Sequence, residues 1–236
     1  MNTRIVSGMA LDSLALKVYE ALYIAILEQR LLPGAKLREA EIAEIFKVSR
    51  TVVRQALQQL GQEKLISLAH NRGATVASPG REEAAGIFEA RQVIEGCVAR
   101  KLCGHLKPDA IAGLRALISR ETEAFKAGHL ADAIRLSGEF HMQLAALTGN
   151  REFAGMLQYL IPRTSLLIAA HLPPGQPMCL SHDHMRLLHA LEEGSEESAN
   201  REMQAHLLEI ETRLSATTPP ASTASLRDML RMNPVS

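Results

Sequence analysis

Aromatic residues are scarce in this sequence, with no tryptophan, three tyrosines and five phenylalanines among 236 residues. Strand-rich folds draw on aromatic and β-branched side chains, so their scarcity, beside abundant Leu, Ala, Ile and Glu, predicts helix. Cysteine is also sparse. Cys97, Cys103 and Cys179 are odd in number and form no CxxC, which argues against a disulfide framework or a zinc ribbon and leaves buried reduced thiols. There is no HExxH or comparable catalytic motif. No apolar run approaches the length of a membrane span. Asp12, Ser13 and Lys17 interrupt the stretch where a signal peptide would carry its apolar core. The expectation is a cytosolic protein with no membrane partner.

Net charge is missing too, since 26 basic residues balance 26 acidic ones. The charges are not evenly spread. Residues up to Ser78 hold 10 of the basic and 7 of the acidic side chains, a net of +3, which leaves −3 for the remainder. A basic front and an acidic back suggest different partners for the two parts.

What is present is helical periodicity. Leu14, Val18, Leu22 and Ile26 recur every four residues, with Leu27 beside the last, and predict an amphipathic helix over 11–31, ended by the Pro33-Gly34 turn. A short second helix over 39–46 turns Ile42, Ile45 and Phe46 inward. Ser49 suits the N-cap of a third helix, whose buried stripe is Val53, Ala56, Leu57 and Leu60, with Gly61 near its end. The period then changes. Residues 65–68 and 74–77 predict two strands around the polar tip His70, Asn71, Arg72 and Gly73. Three helices and a β-hairpin make a winged helix-turn-helix, and Ser78-Pro79-Gly80 is the natural linker. Beyond it the pattern predicts helices near 81–104, 108–127, 130–148, 151–171, 178–193 and 196–215, the fourth carrying Pro162. The fold class is therefore mainly α: an N-terminal winged helix-turn-helix with a small β-hairpin over 1–78, then an antiparallel bundle of about six helices over 79–216. The stretch 217–236, rich in Pro, Ser and Thr, is expected to be a disordered tail, with a short helix possible from Leu226.

The third helix raises the first functional question. The second helix of a helix-turn-helix presents its N-terminal residues to base edges in the major groove. Ser49, Arg50, Thr51, Arg54 and Gln55 form a polar face there, and Arg50 and Arg54, four apart, can point the same way. Arginine reads guanine bidentately, while Ser49, Thr51 and the free N–H groups of the helix start suit a phosphate. The plainer alternative is two surface arginines in helix salt bridges. The flanking short helix, turn and wing weigh against it.

Residues 18–77, from "VYEALYIAILEQR" to "NRGATVA", resemble the N-terminal domain of the GntR family of bacterial transcription regulators. The resemblance implies operator contact by Arg38, Ser49, Arg50, Thr51, Arg54 and the wing tip Asn71, Arg72 and Gly73. Two positions depart from the family pattern: Lys47 replaces a turn glycine, and Val52 a frequent proline. Positive φ at Lys47 would be strained.

Three later segments, "EFHMQLAALTGN", "SHDHMRLLHALEEG" and "ANREMQAHLLEIETRL", are similar to parts of the all-helical ligand-binding (FCD) domain of the FadR branch of that family. By that resemblance His141, His184 and His206 would bind a divalent metal such as Zn²⁺ or Ni²⁺. Ser137 stands where the family has an acidic or amide ligand. Arg91, four before Glu95, is either half of an intrahelical pair or, as the family suggests, a clamp for an effector carboxylate. A metal-free polar pocket is the alternative for the histidines.

The resemblance implies a homodimeric, effector-responsive regulator on a pseudo-palindromic double-stranded DNA operator, with a small carboxylic acid as effector. A metal-dependent hydrolase or lyase built on the three histidines is the alternative from another class. A third is a DNA-binding protein whose helical domain only dimerises.

Overall fold

A computed structural model describes residues 13–69, 73–171, 181–192 and 194–215, together with Leu226 and Leu230. The chain divides into two compact units, with the break between Ser78 and Pro79. In the first, α1 (Ser13–Leu27), α2 (Glu39–Phe46) and α3 (Arg50–Gln62) are joined by β1 (Lys36–Leu37), β2 (Ile66–Ala69) and β3 (Gly73–Val76). The sheet is antiparallel in the order β1-β3-β2, with Leu37 and Leu68 both opposite Ala74. The sequence predicts only the hairpin. β1 is two residues long, too short to show alternation, and it exists because Leu37 is fully buried where it meets β3.

The core of this unit is the α1–α3 contact. Val53, Ala56, Leu57 and Leu60 are buried on α3, and α1 meets them with Val18, Leu22 and Ile26. Each large apolar side chain so buried contributes roughly 1.5–3 kcal/mol. Two expectations on α1 are corrected. The helix ends at Leu27, short of residue 31. Leu14 is 45% exposed in the first turn, where no described residue covers it, while Tyr19 and Tyr23 are buried. Tyr19 can be buried because its hydroxyl donates to the Glu63 carboxylate at 2.8 Å. On α2 only Ile42 is fully buried, with Ile45 and Phe46 half-buried.

Lys47 closes α2 in the left-handed region, at φ 54° and ψ 43°, and its N–H caps the carbonyls of Ala43 and Glu44. The turn therefore needs positive φ, and a side chain occupies the place where glycine would be unstrained.

The second unit is helical: α4 (Arg81–Leu102), α5 (Pro108–Lys126), α6 (Leu130–Leu147), α7 (Arg151–His171), α8 (Ser181–Glu192) and α9 (Glu196–Ser215). These bounds follow the sequence reading closely, because Pro108 starts a helix and Gly128, Gly149 and Gly194 hold positive φ at the breaks. α7 continues through Pro162, and all its side chains from Leu160 to Ala170 are buried. α4 lies close to α9. A Cβ on Gly96 would stand 2.6 Å from the Asn200 side-chain oxygen, which already accepts from Arg100. The core gathers Phe88, Leu114, Ile118, Phe140, Leu144, Leu187, Leu191, Met203 and Leu207.

Of the thiols, Cys97 is half-buried and Cys103 buried, both free, and Cys179 lies outside the described residues. The stretch read as a disordered tail lies outside them too, apart from Leu226 and Leu230, which are helical. Among the described residues no helix is long and apolar enough to cross a membrane.

Candidate functional site

In the first unit the candidate surface is the start of α3. Ser49 is the N-cap, and its hydroxyl accepts the Val52 N–H at 3.3 Å. Ser49, Arg50, Thr51 and Arg54 are exposed, and the apolar stripe anchors the helix from behind. The two arginines differ in how they are held. Arg54 forms a two-point pair with Glu39 on α2, Nε to Oε1 at 3.0 Å and Nη2 to Oε2 at 2.7 Å, with 60% of its side chain still exposed. The hydrogen bond from Arg54 lowers the Glu39 carboxyl pKa, against a smaller push from burial. Arg54 thus ties α2 to α3, a role the i,i+4 spacing from Arg50 does not reveal. Arg50 makes no ion pair within the described residues. Arg38 is exposed at the N-cap of α2. Asn71 and Arg72 lie outside the described residues, and Gly73 opens β3.

In the second unit, α6, α8 and α9 bring His141, His184 and His206 together inside the bundle, each at most 2% exposed. Their Nε2 atoms converge, 3.2 Å between His141 and His206 and 3.4 Å between His141 and His184. The other ring nitrogens of two of them face carboxylates. His184 Nδ1 is 2.7 Å from Glu121 Oε2, and His141 Nδ1 hydrogen-bonds Glu95 Oε2. Glu95 also accepts from Arg91 Nε at 2.6 Å through Oε1, and Arg91 Nη1 donates to Thr164 at 3.3 Å. Phe140 stacks on the His184 ring at 4.3 Å and closes the apolar side.

The electrostatics set the tautomers. Burial pushes the Glu95 carboxyl up, but Arg91 and the His141 ring outweigh it and hold it at about 2. Burial lowers His141, with Glu95 opposing, and burial followed by the two neighbouring rings drives His206 well below the ordinary histidine range. A neutral His141 must spend its one N–H on Glu95, and a neutral His184 must spend its own on Glu121. Their Nε2 atoms are then both lone-pair acceptors, 3.4 Å apart. Two acceptors so close repel unless a cation or a donor such as the His206 N–H meets them. Tetrahedral bonds of 2.0–2.1 Å to nitrogen put neighbouring ligand atoms about 3.3 Å apart, so the donor set and the two spacings from His141 fit a zinc-like ion. Carboxylates behind the ligand histidines complete the arrangement such sites use to fix the rings.

Ser137 is buried one turn before His141 and offers a neutral hydroxyl. Glu139 points away and pairs with Arg135. Of the two sequence readings of Arg91, the intrahelical pair with Glu95 forms, inside the bundle and next to the histidines. Glu121 and Thr164 escape the sequence reading. Glu121 had a signal, since it continues the apolar stripe Leu114–Ile118 of α5 at helical spacing, a place where a lone acid needs a partner.

A winged helix-turn-helix joined to a helical bundle with an internal polar cluster is the build of a DNA-binding transcription regulator. Comparison with known proteins specifies it further. Residues 14–76 match the family "Bacterial regulatory proteins, gntR family", and residues 86–209 match the FCD domain. The chain belongs to the GntR family of regulators and carries an FCD domain. It is 26% identical over 197 residues to the HTH-type transcriptional repressor RspR of Escherichia coli K12, covering 82% of this chain and 86% of that one. It is 27% identical over 178 residues to the Nta operon transcriptional regulator of Aminobacter aminovorans, covering 74% and 82%. The solved structure of E. coli McbR/YncC shares the fold, with a TM-score of 0.77 at 22% identity over 86% of this chain and 98% of that one. The hydrolase or lyase alternative gives way, since the family and these relatives are transcription regulators.

Proposed function

We propose that this regulator binds a pseudo-palindromic operator as a dimer in the cytoplasm, and that residues 79–216 sense a small carboxylic acid through a divalent metal on His141, His184 and His206. The observation that carries the reading is the meeting of the His141, His184 and His206 ring nitrogens in a buried site, two of the rings backed by carboxylates. The metal would supply a Lewis-acidic centre with positions left open to an incoming carboxylate. Charge balance supports an anionic effector. With Glu95 and Glu121 ionised and Arg91 protonated, the cluster carries one net negative charge. A divalent ion makes it +1, and one carboxylate neutralises it. Arg91 spends Nε and Nη1 on Glu95 and Thr164, which favours a supporting place behind His141 over direct capture of the effector. Ser137 leaves the metal without a protein carboxylate from α6, so more of its charge is available to the effector.

The mechanism is linkage: an acid that prefers one arrangement of the helical units shifts DNA affinity by the same coupling energy with which DNA shifts acid affinity. Dimerisation is required because one helix-turn-helix reads only half a site.

Two results are expected. Arg50→Ala weakens binding to the DNA upstream of the gene by about 1–3 kcal/mol, or roughly fivefold to 150-fold, with an unchanged thermal midpoint. Fluorescence anisotropy checks this, and full-strength binding by the variant would remove Arg50 from the reading role. Glu121→Gln lowers zinc affinity about 10–100-fold in calorimetric titration, because the His184 ring loses the partner that fixes its tautomer. An unchanged affinity would show that Glu121 does not serve the metal.

A further inference from the structure

Three non-glycine residues hold positive φ among the described residues: Gln29 at 55°, Lys47 at 54° and Lys64 at 56°. L-residues avoid this region because Cβ meets the following carbonyl, and such strain persists where something else repays it. At Lys47 the backbone does not repay it. The N–H that caps Ala43 and Glu44 would be supplied equally by glycine, without the strain. What a lysine adds over glycine at this turn is its side chain, and at Lys47 that side chain lies beside the start of α3.

That side chain is exposed and forms no ion pair with the described residues. It stands two residues before Ser49, at the end of α3 that carries Arg50 and Thr51. The first turn of α3 contains no acid, so its N–H groups and the nearby cations form one positive edge. Of the acids on α2, Glu39 is committed to Arg54, and Glu44, three residues before Lys47, forms no ion pair with the lysine among the described residues. A flexible ammonium beside such an edge suits a phosphate and carries no base preference.

We infer that Lys47 is a DNA-backbone contact: its ammonium pairs with a phosphate flanking the groove that α3 enters, and this contact maintains a strained lysine in the turn. The inference rests on the reading of α3 as the DNA-binding helix. Lys64 is the internal control. It is exposed and equally strained, but it follows the opposite end of α3, about 20 Å away for a helix of 13 residues.

The test compares wild type with Lys47→Gly, Lys47→Arg and Lys64→Gly on two duplexes, one of random sequence and one from upstream of the gene, by anisotropy across a salt titration. Lys47→Gly should reduce the slope of log K against log salt by about 0.9 per protomer, and should weaken both duplexes by the same factor. Lys47→Arg should keep the wild-type slope, and Lys64→Gly should keep it too. Both glycine variants should melt at or above the wild-type temperature, which separates lost contact from lost fold. A Lys47→Gly slope equal to wild type overturns the inference, as does an equal loss in Lys64→Gly. Failure of wild type to bind either duplex would instead overturn the reading of α3 beneath it.

Discussion

His184→Ala is expected to abolish metal-dependent stabilisation of the protein. A ligand bound only by the folded state adds RT ln(1+[L]/Kd), about 2.7 kcal/mol at a hundredfold excess over Kd. In a chain of this size that raises the melting temperature by about 5–10 °C. The variant should show no such rise at the same zinc concentration. Its loss exceeds the ~10–100-fold expected for an outer partner such as Glu121, because a ligand atom itself is gone. The comparison must be made within each protein, with and without metal. His184 is fully buried, so its removal also leaves a cavity and strands the Glu121 carboxylate, and the metal-free variant will melt lower for that reason alone. His206→Ala should give the same pattern. A variant that keeps the full zinc-induced rise would remove its histidine from the site.

Arg91→Met should damage the metal-free fold severely. Arg91 and Glu95 are 3% and 1% exposed and lie 2.6 Å apart. Removing one member of a buried pair leaves the other charge uncompensated, at a cost of about 3–5 kcal/mol. Denaturant unfolding measures this. Replacing both, as Arg91→Met with Glu95→Leu, should recover much of the stability, since an apolar pair of similar volume replaces a buried ion pair at little cost. It should not recover metal binding, because Glu95 Oε2 also fixes His141. Stability and metal affinity therefore part company in the double variant. If they recover together, orientation of His141 by the Glu95 carboxylate is not needed for the site.

Much of this was legible in the sequence, and what was not has a common cause. The stripe Val53, Ala56, Leu57, Leu60 and the Ser49 cap are local patterns, and both form as read. The three histidines were legible through resemblance, and their meeting inside the bundle agrees with it. The partners that give them chemistry were not. Glu95 lies 46 residues from His141 and Glu121 lies 63 residues from His184, so only the packing of different helices makes these pairs. Arg54 taught the same lesson at shorter range. Its spacing from Arg50 suggested two equal readers, but Glu39, 15 residues away on α2, holds it in a clamp. β1 and the exposed Leu14 show the limit from the other side. Periodicity marks a face of an element, but it does not say whether anything arrives to cover that face.

The most direct measurement of the metal centre is anomalous diffraction at the zinc edge from crystals of zinc-loaded protein. The account predicts one peak per chain, bonded at about 2.0–2.1 Å to Nε2 of His141, His184 and His206. An absence of any peak among the three rings, with their nitrogens linked only to one another or to water, would contradict it.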